Sequence, residues 1–162
     1  MTGISDLART GGPTRERPPF TFAAACRVAF SDTDAQSIVY YGRYAPYFDS
    51  ARVEYFRNLG FDRARDTDIS IGFVMRQFTI DYHAPAQFDD LLEVYCRVAK
   101  VGNSSLTFEF AVTNPNETNA AGDGLLLATS TQVLVNVDLA ARRPVRISDT
   151  VRTAIEGFEH PG

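Results

Sequence analysis

The chain is poor in lysine: of its 16 basic residues only Lys100 is not arginine. Its 20 acidic residues leave a formal charge of −4, and basic residues gather only in short pairs such as Arg142-Arg143. A nucleic-acid partner is therefore not expected, since its electrostatic footprint is a basic patch or stripe. Guanidinium groups still bind phosphate bidentately, so a phosphate-bearing ligand stays open. Cysteine is equally scarce. Cys26 and Cys96 stand apart in strand-like runs, form no metal or redox motif, and point to a reducing, cytoplasmic compartment. No apolar run approaches the length of a membrane span, so no membrane partner is expected. The opening MTGISDLARTGGPTRERPP lacks the apolar core of a signal peptide.

What remains is ordinary for a globular domain: 162 residues, 44% apolar and 22% charged. Residues 1–19, rich in Gly, Pro and Arg, predict a flexible tail, and residues 20–162 a single domain. Residues 21–30 predict a first strand. Tyr44, Tyr47, Phe48, Ala51, Tyr55 and Leu59 then repeat at helical spacing, widened by Val53 and Phe56. A helix this apolar is expected to be wrapped by a sheet. Pro46 belongs in its first turn, and Gly60 suits its C-terminal cap.

Four alternating runs follow, over residues 72–82, 91–101, 106–112 and 125–137. Gly102-Asn103 predicts a hairpin turn and residues 114–124 a longer polar loop. Ser148 or Asp149 is placed to cap a last helix reaching about Phe158. One strand, one long helix and four antiparallel strands make an α+β order, a sheet curled around one central helix. Its open edge and apolar surface call for a homo-oligomer.

The chemistry is sought in DTDAQSIVYYGRY, residues 32–44. Asp32 and Asp34 follow the first strand and precede the helix, whose unpaired N–H groups and dipole favour developing negative charge. The two aspartates also have a plain reading as turn or capping residues. A calcium loop counted from Asp32 would need Gly at its sixth position and Glu at its twelfth. The chain has Ser37 and Arg43 there, which excludes it. A phosphatase-like Asp-x-Asp belongs to a βαβ chain, and a strand meander follows here. His83, before Pro85, reads as a surface or turn residue, and His160 lies near the C-terminus. No G-x-S-x-G is present, Ser104-Ser105 serve the hairpin, and both cysteines alternate with core residues. Tyr40, Tyr41, Tyr44 and Tyr47 line either an aromatic acyl pocket or a dimer core.

Residues 32–60, DTDAQSIVYYGRYAPYFDSARVEYFRNLG, resemble the signature of hotdog-fold acyl-CoA thioesterases of the 4-hydroxybenzoyl-CoA thioesterase family. FVMRQFTIDYHAPAQFDDLLEV, residues 73–94, resembles that family's second and third strands, with Tyr82 and Pro85 as a Tyr-x-x-Pro pair. The likeness spans about residues 22–147. It implies a five-stranded antiparallel sheet wrapped around one long helix, and hydrolysis of an acyl thioester. The substrate would be an acyl-CoA or an acyl-pantetheine on a carrier protein, held in a homodimer or homotetramer, with no metal and no cofactor. Asp34 would be the catalytic carboxylate, and the backbone N–H of Tyr41 the donor to the thioester carbonyl. Tyr40, Tyr44, Tyr47, Phe73 and Met75 are the expected acyl-pocket residues. Two departures stand out. Ser37 replaces a usual glycine, and the hairpin Gly102-Asn103-Ser104 lacks the basic residue that some relatives use on coenzyme A phosphates. A hotdog dehydratase or hydratase needs a His with its carboxylate and is disfavoured. A non-catalytic acyl-binding domain is the other alternative.

Overall fold

A computed structural model of the protein describes Pro13, residues 15–61 and residues 72–162. The elements in chain order are β1 (Ala23–Arg27), α1 (Tyr44–Asn58), β2 (Phe73–Tyr82), β3 (Leu91–Val101), β4 (Ser105–Thr118), β5 (Gly124–Asp138), β6 (Arg143–Pro144) and α2 (Asp149–Glu159). The strands follow the order β1-β3-β4-β5-β2, all antiparallel, with the short β6 on the end of β5. This is the curled sheet and long helix expected of a hotdog fold.

The alternation seen in the sequence sorts side chains between two faces. Leu92, Val94, Cys96 and Val98 of β3 join Leu106, Phe108, Phe110 and Val112 of β4 in one buried cluster. Tyr44, Tyr47, Phe48, Ala51 and Tyr55 of α1 complete it. Each large side chain buried this fully stabilises the fold by about 1.5–3 kcal/mol. Gly60 ends the helix as expected. It adopts φ +92°, its N–H bonds Arg57 O at 3.0 Å, and Phe61 N–H returns to Phe56 O at 3.0 Å. That paired closure needs a left-handed residue, which glycine supplies without a Cβ clash. At α2, Ser148 is the N-cap, accepting from Val151 N–H, and Glu159 accepts from Tyr55 Oη at 2.5 Å and Val98 N–H at 2.9 Å.

Two expectations change. The first strand stops at Arg27, and Phe30–Asp32 forms a 3-10 turn, because Asp32 accepts from Ala29 N–H and bends the chain. Residues 114–118 belong to β4 rather than to a loop. A register shift between Asn114 and Thr118 lets Pro115 sit in a bulge, where the ladder needs no N–H from it. At the C-terminal end of the segment expected as a tail, Arg15 and Arg17 touch Tyr95 of the sheet. Tyr95 Oη donates to Arg15 O at 3.0 Å, and Arg17 sits 5.7 Å from the Tyr95 ring centre. Phe20 packs with Ala23, Tyr95, Ala111 and Leu126 on the face away from α1. Residues 1–12 and 14 of that tail lie outside the described residues.

Candidate active site

Asp32 and Asp34 are two residues apart and do different things. Asp32 is buried, and its contacts with Arg43 and Tyr47 tie the loop to the helix. Its Oδ1 accepts from Arg43 Nε at 3.0 Å and from a second Arg43 nitrogen at 2.8 Å. Its Oδ2 accepts from Tyr47 Oη at 2.7 Å and Ala29 N–H at 2.9 Å. Burial opposes its charge. The hydrogen bonds from Tyr47, Ala29 and Arg43, with the Arg43 charge, outweigh that and hold the carboxyl below the ordinary aspartate range.

Asp34 opens a tight turn. Its N–H bonds Ile38 O at 3.0 Å, Ser37 N–H bonds Asp34 O at 2.9 Å, and Thr33 pairs with Val39 across it. Ser37 adopts φ +62°, the left-handed conformation that glycine takes freely. Here the serine for glycine departure has a concrete cost. Asp34 Oδ1 accepts from Gln36 N–H at 2.8 Å. Its Oδ2 makes no hydrogen bond among the described residues and stays available. Val39 N–H bonds Ala86 O at 2.8 Å, which docks this turn onto the segment after β2.

Between them lies a cleft of about 440 Å³. Asp34, Gln36, Ile38 and Val39 line it from the turn, Tyr41 and Tyr44 from the helix start, and Tyr82, His83, Ala84 and Pro85 from β2 and its continuation. Tyr41 begins a 3-10 turn, Tyr41–Arg43, that runs directly into α1. On either side of the Tyr41-Gly42 pair the N–H groups are engaged: Tyr40 N–H bonds Asp32 O, and Arg43 N–H bonds Tyr40 O, each at 2.9 Å. Gly42 N–H, like that of Tyr41, has no acceptor among the described residues. Tyr41 N–H is an orphan donor at a helical N-terminus, the backbone's ready site for an anion.

The structure thus brings Asp34, Tyr41 and Tyr44 together. Burial pushes the Tyr44 hydroxyl up to about 12, so it stays protonated. Tyr40 is beside them but outside the cleft lining, its ring 4.2 Å from that of Tyr41, centre to centre. Tyr47 turns the other way. Its hydroxyl serves Asp32, and its ring lines a different cavity of about 580 Å³ between β1 and α1. Phe73 stacks on Phe56 at the far end of β2, and Met75 is exposed on that strand. Neither meets Asp34 within one chain. Sequence reasoning read His83 as a surface or turn residue and Tyr82 as one of the Tyr-x-x-Pro pair, and placed neither at the site. Tyr82 Oη donates to Tyr41 O at 2.7 Å, and His83 Nε2 lies 3.1 Å from Thr129 Oγ1. The available signal was the Tyr-x-x-Pro pair, which marks where β2 ends. The hairpin that lacks a base of its own is tied to Arg152 of α2, which donates to Gly102 O at 3.0 Å. Among the described residues no group of His, Cys, Asp and Glu gathers as a metal site.

The chain is similar to known proteins over most of its length. An acyl-CoA thioesterase YbgC of Haemophilus influenzae is 33% identical over 140 residues, 86% of this chain and 95% of the relative. A thioesterase of Thermus thermophilus, solved with coenzyme A and Zn, is 26% identical with TM-score 0.72, covering 88% of this chain and 97% of that one. A 4-hydroxybenzoyl CoA thioesterase mutant complexed with 4-hydroxybenzoyl CoA shares the fold at TM-score 0.71 and 20% identity, covering 83% of this chain and 97% of that one. Residues 28–155 match the thioesterase-like superfamily. That match takes in the Asp34 turn, α1 and every strand from β2 onward, and the chain belongs to that superfamily.

Proposed function

We propose that this protein hydrolyses an acyl thioester to a free acid and a thiol. The observation that carries the reading is one cleft holding both a carboxylate with a free oxygen, Asp34 Oδ2, and an orphan helical N–H, that of Tyr41. The thioester carbonyl oxygen points at Tyr41 N–H, where the helix end favours the charge that develops on attack. Asp34 either attacks the carbonyl carbon directly or takes a proton from the water that does. The tetrahedral adduct collapses with loss of the thiolate, a good leaving group that needs no strong acid. If Asp34 was the nucleophile, water then opens the mixed anhydride. Neither route draws on a metal or cofactor.

The names of the curated relatives and the coenzyme A bound to the Thermus thioesterase support an acyl-CoA substrate. A carrier-protein pantetheine offers the same thioester. We place the enzyme in the cytoplasm, in keeping with its two free cysteines, and as a homodimer or homotetramer. The free edge of β2 exposes Val74, Met75 and Phe78, apolar surface that a second copy would cover. Phe73 and Met75 would then reach an acyl pocket only across that interface.

One observation favours a second reading. His83 lines the same cleft as Asp34, and a histidine with a carboxylate is what hotdog hydration chemistry needs. A panel of acyl-CoAs, read by thiol release, and an enoyl-CoA, read by loss of its conjugated absorbance, separate the two. Hydrolysis predicts thiol release that falls with Asp34→Asn; hydration predicts absorbance loss with no thiol.

A further inference from the structure

Tyr82 is the last residue of β2, about half exposed, and its hydroxyl crosses to the helix start rather than to the sheet. The acceptor is Tyr41 O, at 2.7 Å. The ring is held edge-on against Tyr44, with centres 5.5 Å apart and planes at 74°. Strand pairing fixes the backbone below it, with Tyr82 opposite Ala128 of β5. Tyr41 is therefore pinned on both sides. The peptide before it is held by Arg43 N–H on Tyr40 O, and the peptide after it by the Tyr82 hydroxyl. The second tie matters because Tyr41 itself is largely exposed, so little packing holds it. A free N–H at an exposed helix start would otherwise fray, and an oxyanion donor works only if it is in place before charge develops.

We propose that Tyr82 is a positioning residue for thioester hydrolysis, fixing the Tyr41 backbone so that its N–H meets the developing oxyanion. The inference rests on the reading of Tyr41 N–H as that donor. It assigns work to a strand residue whose hydroxyl is spent on the Tyr41 backbone rather than on Asp34. The donor it aligns meets charge that develops only on attack, so loss of the hydroxyl affects the transition state more than the ground state.

The test is Tyr82→Phe in the full chain, assayed on the best acyl-CoA of the panel, with coenzyme A binding followed by calorimetry. The expected result is a fall in kcat of about 10-fold to 100-fold, the scale set by small misplacements of a reacting geometry. KM and the coenzyme A affinity should stay within about twofold, as for loss of an interaction made mainly in the transition state. In a Tyr41→Pro background, which has no N–H to position, Tyr82→Phe should cause little further loss. Wild-type kcat in Tyr82→Phe, or a change confined to KM, overturns the inference and leaves the Asp34 and Tyr41 reading intact. Multiplying losses in the double variant overturn it too, since Tyr82 would then act by another route. Full activity in folded Tyr41→Pro removes the underlying reading instead. The Tyr82→Phe measurement decides even if the proline variant does not fold.

Discussion

The Tyr47 hydroxyl donates to Asp32 Oδ2 at 2.7 Å, and this one bond joins the loop that carries Asp34 to the buried face of α1. Arg43 closes the same carboxylate from the other side through Oδ1. The site's scaffold is thus a buried, fully engaged aspartate two residues from an aspartate left partly free. Asp32→Asn is expected to cost about 1.5–3 kcal/mol of stability, the range for hydrogen bonds to a charged group. Its effect on kcat should be milder than that of any change at Asp34. Urea unfolding at pH 7 and steady-state kinetics measure the two.

The same network sets a pH dependence. Asp32's folded pKa lies below its ordinary value of 3.8, so the unfolded chain binds its proton first as pH falls. The stabilisation is complete above 3.8 and is lost as pH drops through the lower folded value. Unfolding free energy measured from pH 6 down to pH 2 should fall more steeply in wild type than in Asp32→Asn.

Ser37 holds φ +62° at the tip of the Asp34 turn, a conformation that costs a non-glycine residue about 1–2 kcal/mol. Glycine removes that strain and adds back some unfolded-state entropy, about 0.4–1 kcal/mol. Ser37→Gly should therefore stabilise by about 0.5–1 kcal/mol. The denaturation midpoint should rise with an unchanged slope, and activity should stay near wild type.

The exposed apolar residues of β2 predict assembly. Val74 is 40% exposed, Met75 42% and Phe78 37%, on a strand with one unpaired edge. Light scattering should return at least twice 17.9 kDa. Phe78→Asp should lower the mass or weaken the assembly, and a stable, active wild-type monomer at micromolar concentration would rule the prediction out.

Tyr41 is expected to work through its backbone. Tyr41→Phe should keep most activity. Tyr41→Pro deletes the N–H and should cost about 10²–10³ in kcat, the usual worth of one oxyanion donor. The substitution suits the site, because Tyr40 already has φ −58° and ψ 135°, the extended conformation that a following proline requires. Circular dichroism and particle mass should be unchanged.

Much of this fold can be read in the sequence because its signals are local. The apolar stripe from Tyr44 to Tyr55 and the left-handed Gly60 define α1, and alternation defines β3 and β5. Asn114 to Thr118 misleads, because polar residues and a proline look like a loop. Only pairing with β5 around a bulge keeps them in the strand. At the site, a pair of carboxylates ahead of a helix start is legible in the residues, whereas the roles expected of Asp34 and Tyr41 come from the family resemblance. Tyr47 is not, because its place on the buried stripe does not reveal that Asp32 claims its hydroxyl. His83 and Tyr82 depend on a long-range contact, Val39 N–H to Ala86 O, that no spacing encodes. Phe73 and Met75 lie along β2 from the cleft, so a role for them needs a second chain.

Asp34 carries the central claim. The decisive measurement is kcat for wild type and Asp34→Asn on the best acyl-CoA, with folding and particle mass confirmed for both. The account predicts a loss of about 10²–10⁴, the range for a positioned acid–base group. Little change in stability should accompany it, since the Asp34 side chain makes a single turn hydrogen bond at the lip of a cleft. An Asp34→Asn enzyme that releases thiol at close to the wild-type rate would contradict the account.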